Sequence, residues 1–290
     1  MANKLPVAVI GASGIGRIHI REFLAVGANV IGILGSNPKS TRIRAKKLSN
    51  EFDLKLRAFS SLEELINANP KAVSICTPPE THLKILERTL DSGLYVFCEK
   101  PLFWEASPSG DFVKKTLDSL MAKTKDRLLV NTSNAWFLES YKALIGDYEK
   151  PKEFIFRFST HGSYREKDIG LDLLPHGLSF LVKLGCKGKI EALKVEVRHN
   201  EFNCQFNLDG VRCHFDFRED EKYPKGLSFI IDGIEVKRIQ SFEDGQYSVH
   251  LQCDLFENGI EQVSDPFRIY IERFINTVSR GGCFSHLRGD

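Results

Sequence analysis

The sequence has no Cys-x-x-C pair, no long apolar run, no internal repeat and no marked excess of one charge. Each absence removes a class of protein. The seven cysteines (Cys76, Cys98, Cys186, Cys204, Cys213, Cys253 and Cys283) are scattered along 290 residues. An odd number at such spacings argues against a disulfide framework or a zinc cluster, and no metal site is expected. Cys76 and Cys98 end apolar runs and read as small buried fillers. Reduced thiols of this kind suit a cytoplasmic protein. Lys plus Arg number 40 against 38 Asp plus Glu, a net of +2. That balance creates no broad field for nucleic acid or an anionic membrane. The apolar runs are too short to cross a bilayer. The N-terminal segment carries a single charge and no apolar h-region, so it reads as a first strand and not a signal peptide.

What is present is an ordinary globular composition, 42% apolar and 27% charged, at a length that suggests about two domains. The first half alternates short β-like runs with helical patterns. Strands are expected near residues 5–10, 29–34, 72–76, 94–98 and 128–132. Helices are expected near 14–26, 39–52, 80–92 and 109–123. This alternation predicts α/β architecture, a doubly wound parallel sheet covered on both faces. After Pro151 the pattern changes. Phe154, Phe156 and Phe158 alternate with Glu153, Ile155 and Arg157, a helix is expected near 171–184, and six further β-like runs follow between 190 and 252. Turn signals such as Asp209-Gly210 and Asp232-Gly233 separate them. The second domain is therefore expected to be α+β with a largely antiparallel, open-faced sheet. An amphipathic helix near 266–279 closes it, with Phe267, Ile271, Phe274, Ile275 and Val278 on one side. The domains read as 1–133 and 134–290.

The segment Gly11-Ala12-Ser13-Gly14-Ile15-Gly16 lies between the first strand and the first helix, the setting of a dinucleotide fingerprint. Gly11 allows the tight turn and Gly16 close packing of helix on sheet. Backbone N–H groups of Ser13, Gly14 and Ile15 are then aimed at a pyrophosphate. Ser13 stands where the usual pattern has its second glycine. The second strand ends in Leu34-Gly35-Ser36-Asn37 with Arg42 beyond. No carboxylate is offered to a ribose 2′-OH, whereas Ser36, Asn37 and Arg42 could surround a 2′-phosphate. NADP(H) is favoured over NAD(H), with NAD(H) left open.

Three further segments complete a set: Cys76-Thr77-Pro78-Pro79-Glu80-Thr81-His82, Cys98-Glu99-Lys100-Pro101-Leu102, and Asp172-Leu173-Leu174-Pro175-His176. With Gly11 to Gly16 and His19, their order and spacing resemble the glucose–fructose oxidoreductase, inositol dehydrogenase and MocA (Gfo/Idh/MocA) family over nearly the whole chain. The resemblance implies that Lys100 reaches nicotinamide and substrate, that the bond before Pro101 is cis, and that Glu99 lies near the cofactor ribose. It implies that Thr77, Pro78 and His82 form a loop on the nicotinamide side, with a cap as the other role open to His82. It makes His176 the general acid/base, a role that suits an imidazole, and Asp172 an orienting partner one helical turn away. His19 reads as packing.

The implied activity is hydride transfer between a nicotinamide cofactor and a secondary alcohol or ketone of a sugar, sugar nucleotide or cyclitol. A non-catalytic dinucleotide sensor on the same fold, or a reductase of a non-sugar ligand, stays open. The family usually carries a further helix after the one at Pro266, packed on the first domain, where this sequence ends at Asp290. The open sheet face, with Phe154, Phe156, Phe215, Phe217 and Phe229 read as exposed, is expected to pair copies into a homodimer or homotetramer.

Overall fold

The computed structural model describes residues 4–105, 109–147, 149–243, 246–253, 255 and 260–284. The chain divides into two compact units, Met1–Asn131 with Arg268–Asp290, and Thr132–Phe267.

The first unit begins with β1 (Pro6–Ile10), α1 (Ile15–Ala25), β2 (Asn29–Leu34), α2 (Pro38–Phe52), β3 (Arg57–Phe59) and α3 (Leu62–Asn67). It continues with β4 (Ala72–Ile75), α4 (His82–Asp91), β5 (Tyr95–Cys98), α5 (Gly110–Thr124) and β6 (Leu128–Val130). Val7, Ala8, Val9, Val73 and Val96 are fully buried, because these strands are covered on both faces. The six strands are parallel in the order β3-β2-β1-β4-β5-β6. Short polar caps start α2, α3 and α5: Asn37 accepts from Ser40 N–H, Ser61 from Glu64 N–H and Ser109 from Phe112 N–H. The pair β3 and α3 was not expected from the sequence. β3 is three residues long, too short for a periodic signal.

The second unit holds α6 (Phe137–Ile145), β7 (Glu153–Thr160), α7 (Lys167–Lys183), β8 (Ile190–Arg198), β9 (Glu201–Leu208), β10 (Val211–Glu219), β11 (Gly226–Ile231), β12 (Ile234–Glu243), β13 (Gln246–Cys253) and β14 (Ile260–Val263). The strands form one sheet in the order β14-β13-β12-β11-β7-β10-β9-β8, antiparallel except for β7 beside β10. The expected aromatic open face is corrected here. Phe154, Phe156, Phe215, Phe217 and Phe229 are all buried, on the side that α6 and α7 cover. Phe180 of α7 lies 5.1 Å from both Phe156 and Phe229, ring centre to ring centre. Large apolar rings claim the covered face because removing them from water is worth roughly 1.5–3 kcal/mol each. The opposite face carries charges instead: Arg157 meets Glu235 at 3.1 Å and Asp216 at 3.5 Å, and His214 meets Asp216 at 3.0 Å.

The last helix, α8 (Pro266–Ser279), has the amphipathic pattern expected of it. The sequence predicts one domain over residues 134–290, yet from Arg268 onward the chain belongs to the first unit. Phe274 packs on Phe97 at 5.3 Å and on Phe23 at 6.3 Å. Arg268 donates to Glu22 at 2.7 Å, and the Tyr95 hydroxyl donates to the Gly282 carbonyl at 3.0 Å. An apolar stripe shows that a helix must be covered, not which core covers it.

Two glycines one heptad apart bring α7 onto the sheet. A Cβ at Gly170 would lie 2.6 Å from the Phe202 ring, and one at Gly177 2.8 Å from the Phe215 ring. Both rings are in the buried core and have nowhere to go. Gly177→Ala is therefore expected to destabilise the protein by about 1–3 kcal/mol. Urea unfolding measures it, and a midpoint unchanged from wild type would disprove the close approach.

Candidate active site

The loops of interest in the first unit follow the carboxyl ends of β1, β2, β4 and β5. In an open α/β sheet ligands settle in the crevice where strand order reverses, here between β1 and β4. Gly11 has φ +87°, and a Cβ there would sit 2.6 Å from the Cys76 carbonyl oxygen. Only glycine satisfies both demands. At Gly16 a Cβ would fall 2.0 Å from the Gly11 carbonyl oxygen, so the first turn of α1 rests directly on the loop. Ser13, Gly14 and Ile15 are exposed, and no side chain caps α1. An open, uncapped helix start beside a glycine cradle has the donors a pyrophosphate needs. These residues fit a dinucleotide.

At the end of β2, Ser36 and Arg42 are exposed. Asn37 is partly committed: its Oδ1 caps α2 through Ser40 N–H, and its carbonyl accepts from Thr41. After β4, Thr77 is half-buried and receives the Thr81 hydroxyl at 2.7 Å, while Pro78 is exposed. His82 is fully buried. Its ring nitrogens lie 2.8 Å from the Thr77 and Pro101 carbonyl oxygens. The imidazole thus ties the loop after β4 to the loop after β5 through their backbones.

The sequence names Glu99 and His19 separately, Glu99 as a neighbour of the cofactor ribose and His19 as packing; the structure joins them in one buried cluster. His19 of α1 is fully buried, with Nδ1 2.7 Å from the Ser74 hydroxyl and Nε2 2.7 Å from Glu99 Oε1. Asn131 donates to the same Glu99 oxygen at 2.7 Å. The Ser74 hydroxyl lies 3.4 Å from the Cys76 sulfur. Burial works against charge on His19, but neighbouring Cys76 and Glu99 overcome it and raise its pKa from 6.5 to about 10. Burial also opposes charge on Glu99. Its bonds from His19 and Asn131, with the charges on His19 and Lys100, hold the carboxyl below its ordinary value. Glu99 is thus engaged within the protein, immediately before Lys100. The Lys100–Pro101 peptide bond is cis.

In the second unit, α7 begins a turn earlier than expected, at Lys167. Asp172 is therefore interior to the helix and not its cap. Asp172 and His176 are half-buried and share one face a turn apart. His176 is held from two sides. Asn134 meets Nδ1 at 3.0 Å, and the Phe158 ring lies edge-on to the imidazole at 5.1 Å. Pro175 gives α7 no N–H toward the Leu171 carbonyl. Asn134 carries no motif, so only the fold reveals it. His161, Tyr164 and Arg165 brace their own loop: His161 meets the Tyr223 carbonyl, and Arg165 donates to the carbonyls of Gly162 and Tyr164. Among the described residues, no group of three or more His, Cys, Asp or Glu is arranged to hold a metal ion, and no helix is long and apolar enough to cross a membrane.

The raised His19 sets a pH signature. A group whose folded pKa lies above its unfolded value stabilises fully below the unfolded value and loses that contribution as pH rises. The melting temperature is expected to fall between pH 6.5 and about 10. In His19→Gln the fall should be shallower. Parallel melting curves for the two proteins across that range would refute the ion pair.

A profile of the Gfo/Idh/MocA family, described as an oxidoreductase family with an NAD-binding Rossmann fold, matches residues 5–131. Inositol 2-dehydrogenase of Azotobacter vinelandii is 35% identical over 101 residues, 34% of this chain and 29% of that protein. Matches to this and to similar relatives span about a third of their length. Inositol 2-dehydrogenase of Pseudomonas savastanoi pv. phaseolicola is 32% identical over 287 residues, covering 93% of this chain and 77% of its own. The solved UDP-N-acetylglucosamine 3-dehydrogenase of Acidithiobacillus ferrooxidans superposes with a TM-score of 0.70 at 20% identity, over 96% of this chain and 90% of that one. That likeness is one of fold, a parallel Rossmann-type sheet followed by a separate, mostly antiparallel one. With a relative 32% identical over 93% of this chain and 77% of its own length, this chain belongs to the Gfo/Idh/MocA family of oxidoreductases.

Proposed function

We propose that this protein is an NAD(P)-dependent oxidoreductase acting on a secondary alcohol or ketone of a sugar, sugar nucleotide or cyclitol. The observation that carries the reading is the α7 face on which Asp172 and His176 stand a turn apart, with the His176 ring held at Nδ1 by Asn134. A ring fixed through one nitrogen is oriented to move a proton with the other. The names of the inositol and UDP-N-acetylglucosamine dehydrogenases among its relatives support a polyhydroxylated substrate.

When bound, a nicotinamide supplies hydride chemistry that no side chain can. The chain's part is to bind, orient and move protons. The Ser13–Gly14–Ile15 backbone would hold the pyrophosphate at the start of α1. Ser36, Asn37 and Arg42 would receive the adenosine ribose, and the absence of a carboxylate there favours a 2′-phosphate, hence NADP(H). Thr77 and Pro78 would line the nicotinamide side. Lys100 polarises the reacting oxygen and stabilises its alkoxide character. His176 gives or takes the proton on that oxygen, and Asp172 orients a neighbouring hydroxyl. Glu99 acts one step back, since its bonds to His19 and Asn131 anchor the turn that presents Lys100.

Titration with NADPH and NADH, followed by nicotinamide fluorescence, is the first test. Tighter binding of NADPH, with the preference reduced in Arg42→Ala, is expected. Failure of both to bind would end the dehydrogenase reading. Lys100→Met and His176→Gln are each expected to lower turnover by roughly 100- to 10,000-fold, with cofactor affinity little changed. Normal kcat in either would overturn its assigned role.

A further inference from the structure

The helix-covered side of the second sheet carries a cation with no hydrogen-bond or ion-pair partner among the described residues. Arg238 of β12 stands opposite Leu227 of β11 and Leu251 of β13. Both leucines are almost wholly buried, as is Val236 two residues earlier on the same face. The surroundings suit an aliphatic side chain, and an arginine there gives up hydration. The other five arginines of this unit all have polar partners: Arg157, Arg198, Arg212 and Arg218 meet carboxylates, and Arg165 meets backbone carbonyls. Among the described residues, no hydrogen bond or ion pair engages the half-buried Arg238 guanidinium.

Its neighbours give the position meaning. The guanidinium carbon lies 5.6 Å from the centre of the Phe158 ring. The His176 imidazole lies 5.1 Å from the centre of that same ring. The cation and the acid/base therefore flank one phenyl group on one side of the sheet. Tyr247 and Asp265 are the groups whose charges reach Arg238, and they do not offset the effect of its burial. Asp265 already accepts the Phe267 N–H at 2.9 Å.

We propose that Arg238 binds an oxyanion on the substrate, so that the alcohol or ketone served by His176 belongs to an acidic or phosphorylated sugar or polyol. A guanidinium fork matches a carboxylate or phosphate with two parallel bonds. Leu227 and Leu251 flank Arg238 on the neighbouring strands, and its charge lies over the Phe158 ring. The proposal rests on the reading of His176 given above and narrows the substrate class of that site.

Two measurements on the full chain separate the proposal from the reading beneath it. Calorimetric binding, with cofactor present, compares D-glucuronate and glucose 1-phosphate with D-glucose. At least one anion should bind wild type about tenfold or more tightly than glucose. Arg238→Leu, which suits its aliphatic neighbours, should abolish that preference, and Arg238→Lys should restore part of it. His176→Gln should keep the preference. Which anion gains most distinguishes a sugar acid from a sugar phosphate. Equal binding of all three sugars by wild type, or an anion preference unchanged in Arg238→Leu, overturns the proposal even if the enzyme turns over. Steady-state kinetics supply the second readout. The ratio of kcat/KM for the preferred anion over glucose should fall about tenfold or more in Arg238→Leu. An unchanged ratio would overturn the proposal. Full turnover by His176→Gln would instead refute the acid/base assignment, and the binding comparison would still decide Arg238.

Discussion

The close passage of the β1 loop against the end of β4 is the constraint on which the first unit depends. Gly11 has the only side chain that lets its backbone reach the Cys76 carbonyl at a positive φ. From that approach the rest follows in order. Gly16 can seat α1 on the loop, and α1 can then carry His19 into the core between β4 and β5. His19 joins Ser74 on one strand to Glu99 at the end of the next. The residue after Glu99 is Lys100. A backbone contact set by one missing Cβ is thus linked, through a buried ion pair, to the residue with the sharpest chemical expectation. The buried pair is costly to form and costly to break. Its place here is understandable as a fixture for a turn and less so as a source of stability.

The second unit solves a different problem with similar means. Its sheet must accept a helix that carries two polar groups half-exposed on one side and packs tightly on the other. Gly170 and Gly177 remove the bulk between α7 and the phenyl rings, and the rings fill the space beneath. The glycine beside His176 is then a packing residue. That explains why a larger side chain cannot simply stand at 177 in this chain. The covered face is dense with phenylalanine. The opposite face binds its charges to one another, as in Arg157 with Asp216 and Glu235.

What was legible in the sequence was what backbone geometry or local chemistry dictates. The Gly11 loop, the Glu99-Lys100-Pro101 turn and the Asp172–His176 spacing were readable because each is compact in sequence. The two sheets were readable because a parallel strand buried on both faces and an antiparallel strand buried on one leave different periodicities. The errors have physical causes. A period of two states that the faces of a strand differ, but not which one a helix covers; the aromatics were assigned to the wrong side, although their own hydrophobicity argues for the covered one. The destination of α8 was hidden because its partners, Phe23 and Phe97, lie far away in sequence. Asn134 was invisible for the same reason: it sits 42 residues before the histidine it holds.

Arg238 extends this lesson from packing to recognition. Residues that bind a cofactor common to a family are tied to fixed backbone features, and they leave motifs. Residues that choose among substrates occupy ordinary strand positions, where one side chain can change without disturbing a turn. Val236-Lys237-Arg238-Ile239 reads as an alternating strand whose outward member could be either cation. Only the register, which sets Arg238 opposite Leu227 while Lys237 faces Ser228, tells them apart. Lys237 has Glu235 as its ion-pair partner, whereas Arg238 meets a phenyl ring shared with His176. Among the described residues, Lys237 is therefore neutralised within the protein and Arg238 is not. On electrostatic grounds the second of these positions is the one where a ligand's charge can be selected.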